Sequence, residues 1–121
     1  MKAAALRQEL AAMAAQPGIE GCALVDAEAG MVWCTAGQTE DMQVLSEAAS
    51  DYWRLSQRLS RHFAVLGDLG ASIIVHTMGR VTLLPCGSGM LLVSLSSEKA
   101  RIDWNDWQLR ARALAKLVDS R

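Results

Sequence analysis

Three thiols, two imidazoles and one glycine-flanked hydroxyl are the groups in this 121-residue chain with the most reactive chemistry. Cys22, Cys34 and Cys86 stand far apart among apolar residues, with no other metal-ligand types at coordinating distance in the sequence. They read as reduced, buried thiols, because free cysteine packs as a small hydrophobe. A nucleophilic role for Cys86 or Cys34 requires an exposed thiolate of lowered pKa beside a base. His62 falls late in a long helical run and His76 in a strand-like run, and neither has the neighbours that zinc or a catalytic triad demands. Gly87-Ser88-Gly89 has the letters of a nucleophile turn, but it joins two strand-like runs instead of leading a strand into a helix. No Gly-Lys-Ser or Gly-Lys-Thr is present to close a phosphate loop. Asp103 and Asp106 suit a helix cap and a first-turn anion better than an acid–base pair. The expectation is a protein that is not an enzyme, holds no metal or cofactor, and acts by binding.

Charge narrows the choice of partner. Twelve basic and 13 acidic residues give a net charge of -1 and are mixed along the chain, so no field is offered to a polyanion and nucleic acid is not expected. Lys2, Arg7 and Glu9 bring charge in too early for a signal peptide, and no apolar run approaches the ~20 residues that span a bilayer. A cytoplasmic protein without membrane insertion is expected. A hydrophobic content of 51% and a length of 121 residues suit one domain over residues 1–121, with enough apolar surface to fold without staples.

The elements that position these groups are legible from periodicity. Leu6, Leu10, Met13 and Ala14 recur at helical spacing, and Pro17-Gly18 ends that helix. Ile19 to Asp26 and Met31 to Ala36 form a hairpin around Asp26-Ala27-Glu28-Ala29-Gly30. If Asp26 faces Met31, then Leu24 faces Trp33 and Ala23 faces Cys34, which puts Cys22 and Cys34 on opposite faces. Thr39 is the expected N-cap of a helix from about Glu40 to Leu66. Ala71 to Thr77, Arg80 to Pro85 and Met90 to Ser96 follow as an antiparallel meander, with consecutive Leu91, Leu92 and Val93 marking a central strand covered on both faces. Ser97 or Asp103 then caps a last helix with Trp107, Ala111, Leu114 and Val118 on one side and Trp104 at its entrance. The result is an α/β (α+β) fold of order αββαβββα: a five-stranded antiparallel sheet with the long helix on one face and the terminal helices on the other.

The long helix carries three stripes. Leu45, Ala48, Tyr52, Leu55, Leu59 and Phe63 are apolar and are expected to pack; Glu47, Asp51, Arg54, Arg58 and Arg61 are charged and are expected to be solvated. Met42, Ser46, Ala49, Trp53, Ser56 and Ser60 form a small-residue stripe around one aromatic ring, a surface that lets another helix approach closely. The strand Ala71 to Thr77 carries no proline, lysine or other charge, so its edge is open to a partner strand.

The order of elements, together with Leu10-Ala11-Ala12-Met13, the run from Pro17 to Asp26, Gly30 at the hairpin and the run from Arg80 to Val93, resembles the Roadblock/LC7 family of small regulatory domains. The resemblance spans nearly the whole chain, and its motifs encode structure rather than chemistry. It implies a homodimer in which the long helices meet and the third strands pair, acting on a Ras-like small GTPase or serving as a light chain or scaffold. It carries over no catalytic or GTPase-contact residue. The dimer surface expected from the residues is Met42, Ser46, Ala49, Trp53, Ser56 and Ser60 with Ser72, Ile74 and His76. The competing expectation is a sensor domain holding a small ligand between sheet and long helix, lined by Cys22, Trp33 and Tyr52, which needs a cavity of several hundred cubic ångströms as an order of magnitude.

Overall fold

The computed structural model describes residues 2–120 and runs α1 (Lys2–Ala14), β1 (Ile19–Asp26), β2 (Val32–Gly37), α2 (Met42–Ser60), β3 (Ser72–His76), β4 (Gly79–Pro85), β5 (Met90–Ser97) and α3 (Trp104–Asp119), with a 3-10 segment, Arg61–Leu66, continuing α2. The strands form one antiparallel sheet in the order β2-β1-β5-β4-β3. The αββαβββα order expected from the sequence is therefore the order of the fold. Strand β5 lies in the middle, and Leu91, Leu92 and Val93 are all buried, as a strand covered on both sides must be.

Alternation divides the core into two layers. Cys22, Leu24, Leu84 and Leu92 point to one face, where Leu6, Leu10 and Met13 of α1 meet Trp107, Leu114 and Val118 of α3. Ala23, Val25, Leu83, Leu91 and Val93 point to the other, beneath Met42, Ala49 and Trp53 of α2. Asp103 caps α3 by accepting a hydrogen bond from the Asp106 backbone N–H at 3.1 Å, and Trp104 meets Trp107 edge to face at its entrance with ring centroids 6.4 Å apart.

Three local expectations are corrected. Leu24 faces Cys34, not Trp33, and Ala23 faces Thr35, because a β-bulge between Leu24 and Val25 absorbs Trp33 as an extra residue. That shift brings Cys34 to the face that already holds Cys22 and Leu24, and all three cysteines are free. Thr39 does not cap α2: its hydroxyl donates to the Glu20 carbonyl at 2.7 Å, and the cap position falls to Asp41 in the left-handed conformation, φ 56°. The long helix also stops being α-helical at Ser60, and Phe63, at φ -115° and ψ 29°, breaks the regularity of the 3-10 segment beyond it.

The largest correction concerns α2. Met42, Ser46, Ala49 and Trp53 lie against the chain's own sheet, at 6%, 0%, 4% and 3% exposure, whereas Leu45, Tyr52, Leu55, Leu59 and Phe63 are left outside. Both stripes repeat with the helical period, so periodicity alone does not choose between them. Close approach chooses: the sheet below already carries valines and leucines, small Ser46 and Ala49 let the helix axis settle on them, and Trp53 is the largest surface the helix can bury.

Truncating the central layer removes packed volume from both neighbouring strands. Leu92→Ala is expected to cost about 2–5 kcal/mol of stability, read as a lower urea midpoint, whereas Val75→Ala on the exposed strand stays within about 0.5 kcal/mol.

Candidate interaction surface

Of the residues expected to form a docking face, Met42, Ser46, Ala49 and Trp53 are core residues and present no surface. Ser56 and Ser60 are half-buried at the flank of α2, and the Ser56 hydroxyl lies 3.2 Å from that of Ser72, which ties the helix flank to the start of β3. Ile74 is partly buried under the same face, and His76 is exposed at the strand's end. The expected residues of β3 and the lower part of α2 thus come together; the upper part of the small-residue stripe is removed from them by the sheet.

The stripe expected to pack is instead the exposed feature. Leu45, Tyr52, Leu55, Leu59 and Phe63 run down one flank of α2 and its 3-10 continuation, at 42%, 39%, 43%, 50% and 58% exposure, and the lower end of that row lies near the start of β3, where Ser56 meets Ser72. The opposite flank is occupied by Arg54, whose guanidinium donates to the carbonyls of Ala27 and Glu28 at 3.3 Å each and pairs with Asp51. Arg54 therefore clamps α2 to the β1–β2 hairpin, and Arg58 and Arg61 are exposed. A row of large apolar side chains bordering a strand is more than the scattered exposed leucine that any surface shows.

The two sheet edges differ. Strand β2 is interrupted by the Trp33 bulge, a device that blunts an edge. Strand β3 pairs with β4 in unbroken register from Ser72 to His76 and carries neither charge nor proline, so its outer backbone groups form a regular template.

Burial disfavours the thiolate at all three cysteines. Burial pushes Cys22 up to about 12 and, with the Asp119 carboxylate adding to the effect, Cys86 up to about 12 as well. Cys34 is raised by burial, opposed in part by Arg7 and by a backbone hydrogen bond from Leu24. A nucleophile needs the opposite shift, so Cys86 and Cys34 lack the property that the enzymatic reading required. The three side chains expected to line a sensor cavity are separated: Cys22 faces α1 and α3, Tyr52 lies on the outer flank of α2, and Trp33 occupies the bulge of β2. Among the described residues no cluster of three or more potential metal ligands occurs, and no helix is long and apolar enough to cross a membrane.

A five-stranded antiparallel sheet with one helix on one side and two on the other, and with an apolar helix flank beside an open edge strand, defines a class of small α/β domain. Within it the chain belongs to the Roadblock/LC7 family, whose domain model matches residues 7–96. The fold is shared with the Roadblock/LC7 domain from Streptomyces avermitilis (21% identity, 93% of this chain and 91% of that one, TM-score 0.74). It is shared too with an MglB of tetrameric arrangement (18%, 96% and 89%, TM-score 0.80) and with the gliding protein MglB of Thermus thermophilus (17%, 99% and 90%, TM-score 0.77). No curated protein sequence matches the chain.

The direction of the thiol shifts gives a direct test. In the native protein at pH 8, iodoacetamide is expected to leave Cys22 and Cys86 unmodified while denaturant exposes all three cysteines, with intact-mass measurement reading the number of adducts.

Proposed function

We propose that the chain is a non-enzymatic regulatory or scaffold protein that works as a homodimer, its two α2 helices meeting along their apolar flanks and its two β3 strands pairing into one continuous sheet. The carrying observation is the row from Leu45 to Phe63 standing exposed beside an unblocked β3 edge. A two-fold contact made of the same patch on each copy covers both features at once, since pairing the strands brings the flanking helices together on the same side of the sheet. The upper small-residue stripe has no part in this interface; Ser56, Ser60, Ser72, Ile74 and His76 lie within it.

Beyond the dimer, family membership supports a Ras-like small GTPase or another signalling protein as the second partner. Such a regulator acts by binding one conformation of its partner better than another, so its effect equals that difference in affinity and needs no bond-making residue. The raised thiol pKa values agree with this reading.

Leu55→Glu places a charge in the middle of the exposed row without touching the core. It is expected to convert dimer to monomer in sedimentation velocity while leaving the circular dichroism spectrum unchanged; a chain that sediments as a monomer before any substitution refutes the dimer. For the second partner, the purified dimer is presented to small GTPases loaded with GTP analogue or GDP. Retention of one nucleotide state over the other is the expected result.

A further inference from the structure

Three hydroxyls and one indole N–H lie inside the layer beneath α1 and α3 with no hydrogen-bond partner among the described residues: Thr82 Oγ1, Ser94 Oγ, Ser96 Oγ and Trp107 Nε1. None of the four residues is more than 2% exposed. The sheet gathers the hydroxyls. Thr82 stands directly opposite Ser94 on neighbouring strands, and Ser96 follows two residues later on β5, so all three point to one face. It is the face of Leu84 and Leu92, which flank Thr82 and Ser94 one step along the strands and pack in one core cluster with Trp107. The Ser96 end of this row adjoins the surface. The Ser97 N–H donates to the Gly18 carbonyl at 3.0 Å, and Gln16 and Pro17 of that turn border, with Ile102 and Trp107, an open recess of about 200 Å³.

Local geometry offers these groups no substitute. Side chains of a strand stand roughly perpendicular to the sheet, whereas the carbonyls beside them lie in its plane and serve the ladder. Ser46, the other buried hydroxyl without a partner, differs, because a helical serine can turn to the carbonyl one turn before it. A direct bond between Thr82 and Ser94 would leave Ser96 and Trp107 as they are. An indole N–H only donates and a hydroxyl both donates and accepts, so together the four present the donors and acceptors that a water molecule bridges. A buried polar group without any partner bears its whole desolvation cost, and native cores carry few of them.

We propose that ordered water binds between the Thr82, Ser94 and Ser96 row and the indole of Trp107, bridging these groups and exchanging with solvent through the recess at Pro17 and Ile102. The terminal-helix layer is then dry around Leu24 and Leu92 and hydrated around Ser94 and Ser96. The entrance of α3, where Trp107 sits, is held to the sheet by water as well as by packing. This site needs neither a second copy nor any other protein.

The test uses the full chain. A crystal structure is expected to show a water peak within hydrogen-bond distance of at least two of the four groups. Thr82→Val keeps the shape of the side chain and removes one of the water's partners, so the urea midpoint is expected to fall by about 0.5 M or more. Thr82→Ser, which keeps the hydroxyl, retains the water peak. A dry layer has the opposite sign, because replacing an unpartnered hydroxyl by a methyl group relieves its desolvation and raises the midpoint. A raised midpoint, a layer without the water peak, or a direct Thr82 to Ser94 hydrogen bond in its place overturns the proposal. Where Thr82→Val fails to fold, the water peak in the original chain and in Thr82→Ser decides.

Discussion

Everything on the α2 side of the molecule follows from how closely that helix can approach the sheet. The sheet offers Val25, Leu83, Leu91 and Val93, side chains that already fill their layer. A helix meeting them with leucines would be held away, whereas Ser46 and Ala49 allow contact near the backbone and Trp53 fills what remains at one end. Once the small residues are taken inward, helical geometry sends the leucine row sideways. The exposed apolar flank is thus a geometric result of tight packing beneath the helix, and it lies on the side away from Arg54, which fastens the other flank to the β1–β2 hairpin.

How much of this the chain announces depends on the scale of the feature. The helix and strand periods, the central place of Leu91, Leu92 and Val93, the Asp103 cap and the open β3 edge are all legible, because each is written in local spacing and residue type. The choice between two stripes of equal period is not legible, because it turns on the volume of the layer opposite, contributed by strands up to roughly fifty residues away in sequence. A count of apolar side chains favours the wrong stripe. The one signal that points correctly is Trp53, the largest ring on the helix, seated among small neighbours. The bulge at Trp33 is hidden for a related reason: a one-residue slip reverses every later face, and only packing on both sides fixes it.

The surroundings of the thiols oppose thiolate formation, and those of Cys22, Trp33 and Tyr52 keep the three side chains apart. Thiols surrounded by leucine and tryptophan hold their protons, and side chains that share a sequence neighbourhood end up on different sides of a sheet. What is left is a surface whose content is shape, apolar area and a row of free backbone groups. Such a surface matches in kind the strand and helix of the proposed two-fold contact.

The far end of the chain is secured in a way that bears on how the fold comes apart. The Asp119 carboxylate accepts a hydrogen bond from the Ser88 backbone N–H at 2.8 Å, and Val118 and Asp119 sit so near Gly87 that a Cβ there would meet them at 3.0 and 2.9 Å. Midway along, the Cys86 thiol donates to the Ala111 carbonyl at 3.6 Å. The β4–β5 turn is therefore a latch for the tail of α3. Fraying of the last turn of α3 therefore has to break contacts with that short turn, which couples this end of the helix to the β4–β5 hairpin.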